Sequence, residues 1–416
     1  MAEFANGVSV WQVRKQFPML QKEMHGKPFV YLDTAATSQK PRSVIEAVCK
    51  FYAEEYATVH RSVYDFASHA TEKYHAVRHQ VREFINASCV EEIIFTRGTT
   101  DAINLVASSF GKVCLMPGDE ILITEMEHHS NIVPWQIICK EKGASLRVLP
   151  MNDQGELRMD LLDSLLTHKT KLVAVAHIAN TTGSVNPIEE MITKAHAKGA
   201  KVLIDGAQSI AHRPVDVQKL KADFFAFSGH KAYGPTGIGV LYGKKSLLES
   251  LPPYQGGGDM VERVSFANTT YAPLPMKFEA GTPMIAEVIG LGAAISFIDS
   301  LGREQIALWE QSLLCYATEK LQQVKGLRII GNAKEKGGII SFVIEDLHPL
   351  DLGTLLDLRG IAIRSGKMCA EPTLDFFRLP SMLRISFAVH TTFEEIDLFV
   401  DALQEAILLL RPSLSY

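Results

Sequence analysis

Four short segments of this sequence place reactive side chains directly after apolar runs. The run DFFAF (223–227) is followed by Ser228, Gly229, His230 and Lys231, and KVLID (201–205) ends in Asp205 and continues with Gly206, Ala207 and Gln208. EIIFT (92–96) leads into Arg97, Gly98, Thr99 and Thr100, and EILIT (120–124) leads into Glu125, Met126, Glu127, His128 and His129. A lysine, an acid in an apolar setting, two hydroxyls opening a helix and a histidine suit one cofactor, pyridoxal phosphate. It takes a lysine for its Schiff base and an acid against its pyridinium nitrogen. Its phosphate sits well on the N–H groups of a helix N-terminus. Lys231 is then the Schiff-base lysine, and Asp205 faces the ring nitrogen, because a buried carboxylate needs a cationic partner. Ser228, His230, Thr99 and Thr100 are the candidates for the phosphate, His128 for stacking on the ring and Gln208 for a hydrogen bond to the ring oxygen. Singly, each has an ordinary explanation, such as a surface lysine, a turn-forming aspartate or a threonine helix cap. Their conjunction carries the argument. Glu127-His128-His129 lacks a third ligand at metal spacing, so no metal is expected. The glycines of 234–239 precede a strand pattern and therefore do not form a dinucleotide fingerprint.

A second constellation lies near the C-terminus. Arg384 sits inside the apolar run LRISF (383–387), where an unpaired guanidinium is costly. A bidentate grip on an amino-acid carboxylate resolves that cost, with Arg364 and Asn180 as helpers; the alternative is a structural ion pair with a carboxylate elsewhere. Cys369 lies on the polar, Gly-containing loop Arg364-Ser365-Gly366-Lys367-Met368-Cys369-Ala370-Glu371-Pro372. Nearby positive charge raises the thiolate fraction of such a cysteine, and the loop's composition reads as flexible. The other cysteines, at 49, 89, 114, 139 and 315, form no C-x-x-C pair and lie in apolar or helix-like contexts, as expected of idle thiols.

The elements that must position these residues can be read from periodicity. Between about 90 and 245, short apolar runs (92–96, 120–124, 171–177, 201–205, 223–227, 237–242) alternate with helix patterns such as 100–110 and 188–198. That alternation predicts an α/β fold with a mostly parallel sheet covered on both faces, and ligands in such sheets bind at the carboxyl ends of the strands. Residues 249–283, rich in glycine and proline, read as an irregular excursion with a hairpin. Helix patterns cover 286–301 and 304–324. Beyond them, strand, helix and strand patterns with a terminal helix predict a smaller α+β domain starting near residue 296. The chain of 416 residues, 47% hydrophobic and 21% charged with a formal charge of -5, is an ordinary globular composition. No basic stripe for nucleic acid is present, and the apolar runs fall far short of the roughly 18 residues of a membrane span. The N-terminal MAEFANGVSVWQ has neither a signal-peptide core nor transit-peptide bias, so a cytoplasmic location is expected.

The motifs R-G-T-T, E-H-H-S-N-I-V-P-W, D-G-A-Q, S-G-H-K-x-Y-G-P-T-G-I-G, G-G-G and E-A-G-T-P resemble those of class V, fold-type I pyridoxal phosphate enzymes. More narrowly they resemble the SufS-type (group II) cysteine desulfurases, from about Asp33 to the terminal helix. The resemblance implies a large domain, 28–295, with a seven-stranded sheet, a small domain, 296–416, carrying the Cys369 loop, and an N-terminal arm, 1–27, packing with the small domain. It also implies a homodimer in which Gly256 and Thr282 reach the other subunit's cofactor site. The pattern R-x-G-x-x-C-A-x-P resembles the group II signature whose cysteine forms a persulfide, although the family usually has two histidines where this chain has Lys367 and Met368. The implied activity is removal of sulfur from L-cysteine, giving alanine and a Cys369 persulfide, with Lys231 and His128 in proton transfer, His128 having a pKa near the operating pH. A selenocysteine lyase, a kynureninase-like hydrolase or an aminotransferase are the alternatives. The short Cys369 loop implies a SufE-like acceptor that docks into the site and feeds iron–sulfur cluster assembly. Zinc-bearing, SufU-like partners surrender a metal ligand to a family histidine whose matching position here is Leu350, with His348 two residues away.

Overall fold

A computed structural model describes residues 4–5, 7–60 and 62–411. Met1–Glu3, Asn6, Arg61 and residues 412–416 lie outside the described residues, and with them part of the N-terminal stretch on which the arm and the location were read.

The central sheet has seven strands, in the spatial order Ile93–Thr96, Gly239–Gly243, Phe224–Ser228, Lys201–Asp205, Thr170–Ala176, Glu120–Thr124 and Ser145–Leu149. The last five pair in parallel. Gly239–Gly243 runs antiparallel to both of its neighbours. Two reversals restore the direction, so Ile93–Thr96 points the same way as the parallel five. Gly239 lies opposite both Thr96 and Ser228. The carboxyl ends of six strands therefore share one edge, and the residues singled out after those strands emerge together.

Alternation along the strands builds a core on each face. Val202, Ile204, Phe225 and Phe227 join one apolar cluster, while Leu203, Phe224 and Ala226 join the other. This is the period-2 geometry of a strand with both faces covered. Helices Thr99–Cys114 and Val133–Lys142 supply Ile103, Val106, Phe110 and Trp135 to the second cluster. On the first face, helix Ile285–Leu301 packs between Arg42–Lys50 and Asp65–Phe84.

A four-stranded antiparallel sheet comes next, in the order Leu327–Ile330, Ile339–Ile344, Met382–Ser386 and Arg364–Gly366. It is backed by Arg303–Gln322, Pro349–Asp357 and Phe393–Leu410. The last helix opens with a capping box between Thr392 and Glu395, which satisfies two N-terminal donors reciprocally. Positions 295 and 296 both fall inside Ile285–Leu301. The segment 30–33 stitches the two layers together. Val30–Tyr31 pairs in parallel with Ile361–Ala362, and the Ser386 N–H donates to the Leu32 carbonyl at 2.8 Å. Upstream, Arg14 forms an ion pair with Glu395 at 2.7 Å, and Phe17 packs edge-on against Tyr233, Phe297 and His390.

The apolar runs missed the short strands Glu23–Met24, Lys27–Pro28 and Val30–Tyr31, the strand Arg364–Gly366 within the expected loop, and, among the longer strands, Ser145–Leu149 and Leu327–Ile330. The last two are edge strands with much of their surface exposed, so their sequences need no continuous apolar stretch. The hairpin expected within 249–283 is Val261–Val264 with Thr269–Tyr271. No single helix among the described residues is long and apolar enough to cross a membrane.

Candidate active site

At the common strand edge lies a cavity of about 340 Å³. Lys231, Asp205, Gln208 and His128 line it, together with Ser228, His230, Thr99 and Thr100. From the second sheet and the loops above come Asn180, Arg364, Cys369 and Arg384. Gly256 and Thr282 do not reach it. Both are exposed, and Thr282 borders a different cavity with Tyr254, Gln255 and Arg97.

The floor is electrostatically tense. Asp205 is buried, with one oxygen accepting the Ala207 N–H at 2.9 Å. Burial raises its pKa above the usual carboxylate range, as happens when an acid lacks a close cation. Burial pulls Lys231 down to about 8, opposed by the charge of Asp205. Around the start of helix Thr99–Cys114, the Thr99 N–H donates to Ser228 Oγ at 2.8 Å, and the two hydroxyls lie 2.8 Å apart. Gly98, at φ 153, could not carry a Cβ freely, since that atom would come within 3.2 Å of Ser228 Oγ. The result is a cradle of N–H and hydroxyl groups at a helix N-terminus, fit for a phosphate. The acid without a cation, the amine of depressed pKa and this cradle together match the three polar ends of pyridoxal phosphate.

His128 accepts the Ser130 N–H on Nδ1 at 3.1 Å, so the ring proton resides on Nε2. Burial, and after it the charge of Lys231, pushes its pKa down to about 4. The expectation of a pKa near the operating pH is thus corrected, and the imidazole is neutral at pH 7. His230 is likewise pushed down to about 4, chiefly by burial, and its Nδ1 lies 3.1 Å from Thr37 Oγ. Gln208 already donates one amide hydrogen to the Ala35 carbonyl at 2.8 Å.

Arg384 is nearly inaccessible. Its Nη1 donates to the Asn180 carbonyl at 2.9 Å, and its Nη2 to Asp33 Oδ1 at 3.3 Å. Arg364 approaches the other oxygen of Asp33 at 3.8 Å. Arg384 Nε and Asn180 Oδ1 are buried without a hydrogen-bond partner among the described residues, an arrangement that buried polar groups avoid unless a ligand completes it. The loop bearing Cys369 is tethered at two backbone carbonyls. Asn180 Nδ2 donates to the Met368 carbonyl at 2.8 Å, and the His129 N–H donates to the Cys369 carbonyl at 2.9 Å. Cys369 is exposed and also borders an outer cleft with His129, Lys367 and Glu371. Lys367 turns to Glu371 at 3.8 Å.

Sequence reasoning missed Asp33, Thr37 and Ser130 as lining or pairing residues, and Glu127 beneath the site. Glu127 is fully buried, with its carboxyl receiving Thr124 Oγ at 2.5 Å, Asn131 Nδ2 at 2.6 Å and the Ala176 N–H at 3.0 Å. The only signal for Asp33 was its place in YLDTAAT, 351 residues from the arginine it meets.

The chain belongs to the class-V aminotransferase family, whose model matches residues 30–399. Its cofactor is pyridoxal phosphate. Within that family it belongs to the cysteine desulfurases. A cysteine desulfurase of Pectobacterium carotovorum is 52% identical over 394 residues, covering 94% of this chain and 97% of that protein. The crystal structure of the cysteine desulfurase CsdA from Escherichia coli has a TM-score of 0.90 at 42% identity, covering 97% of this chain and 99% of that one. The apo cysteine desulfurase of Thermococcus onnurineus has a TM-score of 0.88 at 37% identity, covering 94% and 98%.

Proposed function

We propose that this chain takes the sulfur of L-cysteine onto Cys369, releases L-alanine and passes the persulfide to an acceptor protein for iron–sulfur cluster assembly. The observation that carries the reading is one cavity bordered by Lys231, Asp205, Arg384 and Cys369. Arg384 binds the substrate carboxylate with its planar donors, and Arg364 and the second Nδ2 hydrogen of Asn180, whose first goes to the Met368 carbonyl, complete the grip. Pyridoxal phosphate supplies, when bound, an electron sink for charge developing at the substrate α-carbon. Ser228, His230, Thr99 and Thr100 would hold its phosphate, Gln208 its ring oxygen, and Asp205 would keep a proton at its ring nitrogen. Lys231 Nζ takes the α-proton; its pKa of about 8 suits a base near neutral pH. His128 would pack on the ring as a neutral imidazole with its proton on Nε2. The Cys369 thiolate attacks the substrate sulfur. The new S–S bond forms as Cβ–S breaks, and the electron pair stays on the carbon skeleton, which is protonated on the way to alanine.

The group II assignment rests on the short stretch between strand Arg364–Gly366 and helix Glu371–Phe376, which cannot carry Cys369 far. An acceptor of the SufE-like kind must therefore enter the outer cleft. A second copy of the chain would bring Gly256 and Thr282 to the site, in keeping with their distance from their own cavity. A division into an arm 1–27, a large domain 28–295 and a small domain 296–416, and a cytoplasmic location, complete the reading. The test is Cys369→Ser, which should bind cofactor and cysteine yet release almost no sulfide or alanine. An unchanged alanine yield would remove Cys369 from the mechanism.

A further inference from the structure

The segment 367–371 holds two consecutive non-glycine residues in the left-handed region, Met368 at φ 56 and Cys369 at φ 53. Each such residue is disfavoured, and a pair persists only where the surroundings over-determine it. Several contacts do so from the buried side. Asn180 holds the Met368 carbonyl and the His129 N–H holds the Cys369 carbonyl, and the Met368 side chain and Ala370 are buried. On the solvent side the restraint is electrostatic. The Glu371 carboxylate lies against His129 Nε2, a pair that is ionic when the ring is protonated, and 3.8 Å from Lys367 Nζ. The Glu371 N–H also donates to His129 Nε2 at 3.4 Å. These three side chains line the outer cleft that Cys369 borders.

We propose that Glu371 is a positioning residue for sulfur transfer: by joining His129 and Lys367 it clamps the strained Cys369 turn from the solvent side and holds the thiol between the inner cavity and the outer cleft. This rests on Cys369 being the sulfur acceptor. Neither basic partner is buried, with 38% of the His129 and 60% of the Lys367 side chain accessible. Exposed pairs are individually weak and screened by salt. The clamp therefore tunes the turn rather than holding the fold.

The test uses the holoenzyme with Glu371→Gln, which keeps size and removes charge. The single-turnover rate of persulfide formation should fall by roughly 1.5- to 5-fold, the range of an exposed charge pair, with unchanged cysteine affinity. Wild-type enzyme should slow toward the variant as potassium chloride is raised, and the variant should not respond. A readout independent of the cofactor is the alkylation rate of Cys369, followed by mass spectrometry of its peptide. It should change in Glu371→Gln with no change at Cys49 or Cys315, the other exposed thiols. An unchanged rate, or a fall matched by lost cysteine affinity or a lower melting temperature, would overturn the proposal. If Cys369→Ser still forms alanine at the wild-type rate, the nucleophile assignment fails and the positioning role with it.

Discussion

Arg384 and Asp33, 351 residues apart, meet at 3.3 Å beside the cavity, and the same guanidinium also donates to the Asn180 carbonyl. The aspartate is the carboxylate partner that a buried arginine demands, yet Nε remains unpartnered. The pair thus aligns the arginine and leaves it a free donor. Burial raises the pKa of Asp33, against the pull of the Arg384 charge.

Arg384→Ala should weaken cysteine binding by about 1.5–3 kcal/mol, the range for hydrogen bonds to charged groups, while cofactor absorbance persists. Titration with cysteine measures it. Lost cofactor with a sharply lowered melting temperature would mean that the pair with Asp33 serves the fold alone.

Lys231→Ala should lose the visible absorbance of the bound cofactor and all turnover. Among the described residues lining the cavity, Lys231 is the only lysine. Normal cysteine turnover by the variant would refute the cofactor assignment.

His390 should make the protein acid-sensitive. Its ring is buried beside Phe17, and burial, then the charge of Arg14, pushes its pKa down to about 3. The unfolded chain takes the proton near pH 6.5 and the folded chain does not, so stability is full above 6.5 and falls as pH drops. Each pH unit below 6.5 removes about 1.4 kcal/mol. Glu395 acts oppositely, its pKa being raised to about 7, so the contribution of His390 must be isolated. Urea unfolding of wild type and His390→Phe at pH 6.5 and about pH 5 does so. The variant should gain about 2 kcal/mol on the wild type between them, and a constant gap would disprove the assignment.

A SufE-like acceptor should stimulate sulfide release under reductant, and a zinc-bearing SufU-like partner should not. Leu350 is exposed and cannot ligate zinc. His348 Nδ1 already accepts the Leu350 N–H at 3.2 Å, capping helix Pro349–Asp357. Strong stimulation by the zinc-type partner, lost in His348→Ala, would reverse this assignment.

The local chemistry was legible in the order of residues. A strand end continued at once by Ser228, His230 and Lys231, or by Asp205 and Gln208, places those groups on the sheet edge, because a parallel strand delivers its next few residues to the carboxyl edge of the sheet. Apolar runs identified the buried strands, whose inward faces must be continuous, and overlooked Ser145–Leu149 and Leu327–Ile330, whose edge positions carry no such demand. The tertiary structure alone decided contacts between segments distant in the chain. That Asp33 meets Arg384, that Asn180 holds the Met368 carbonyl and that His129 and Glu371 close on each other depend on how two sheets pack. Nothing in the spacing of those residues encodes that. The ionisation of His128 was also undecided by sequence, since burial and the Lys231 charge, neither visible in the neighbouring residues, set it near 4.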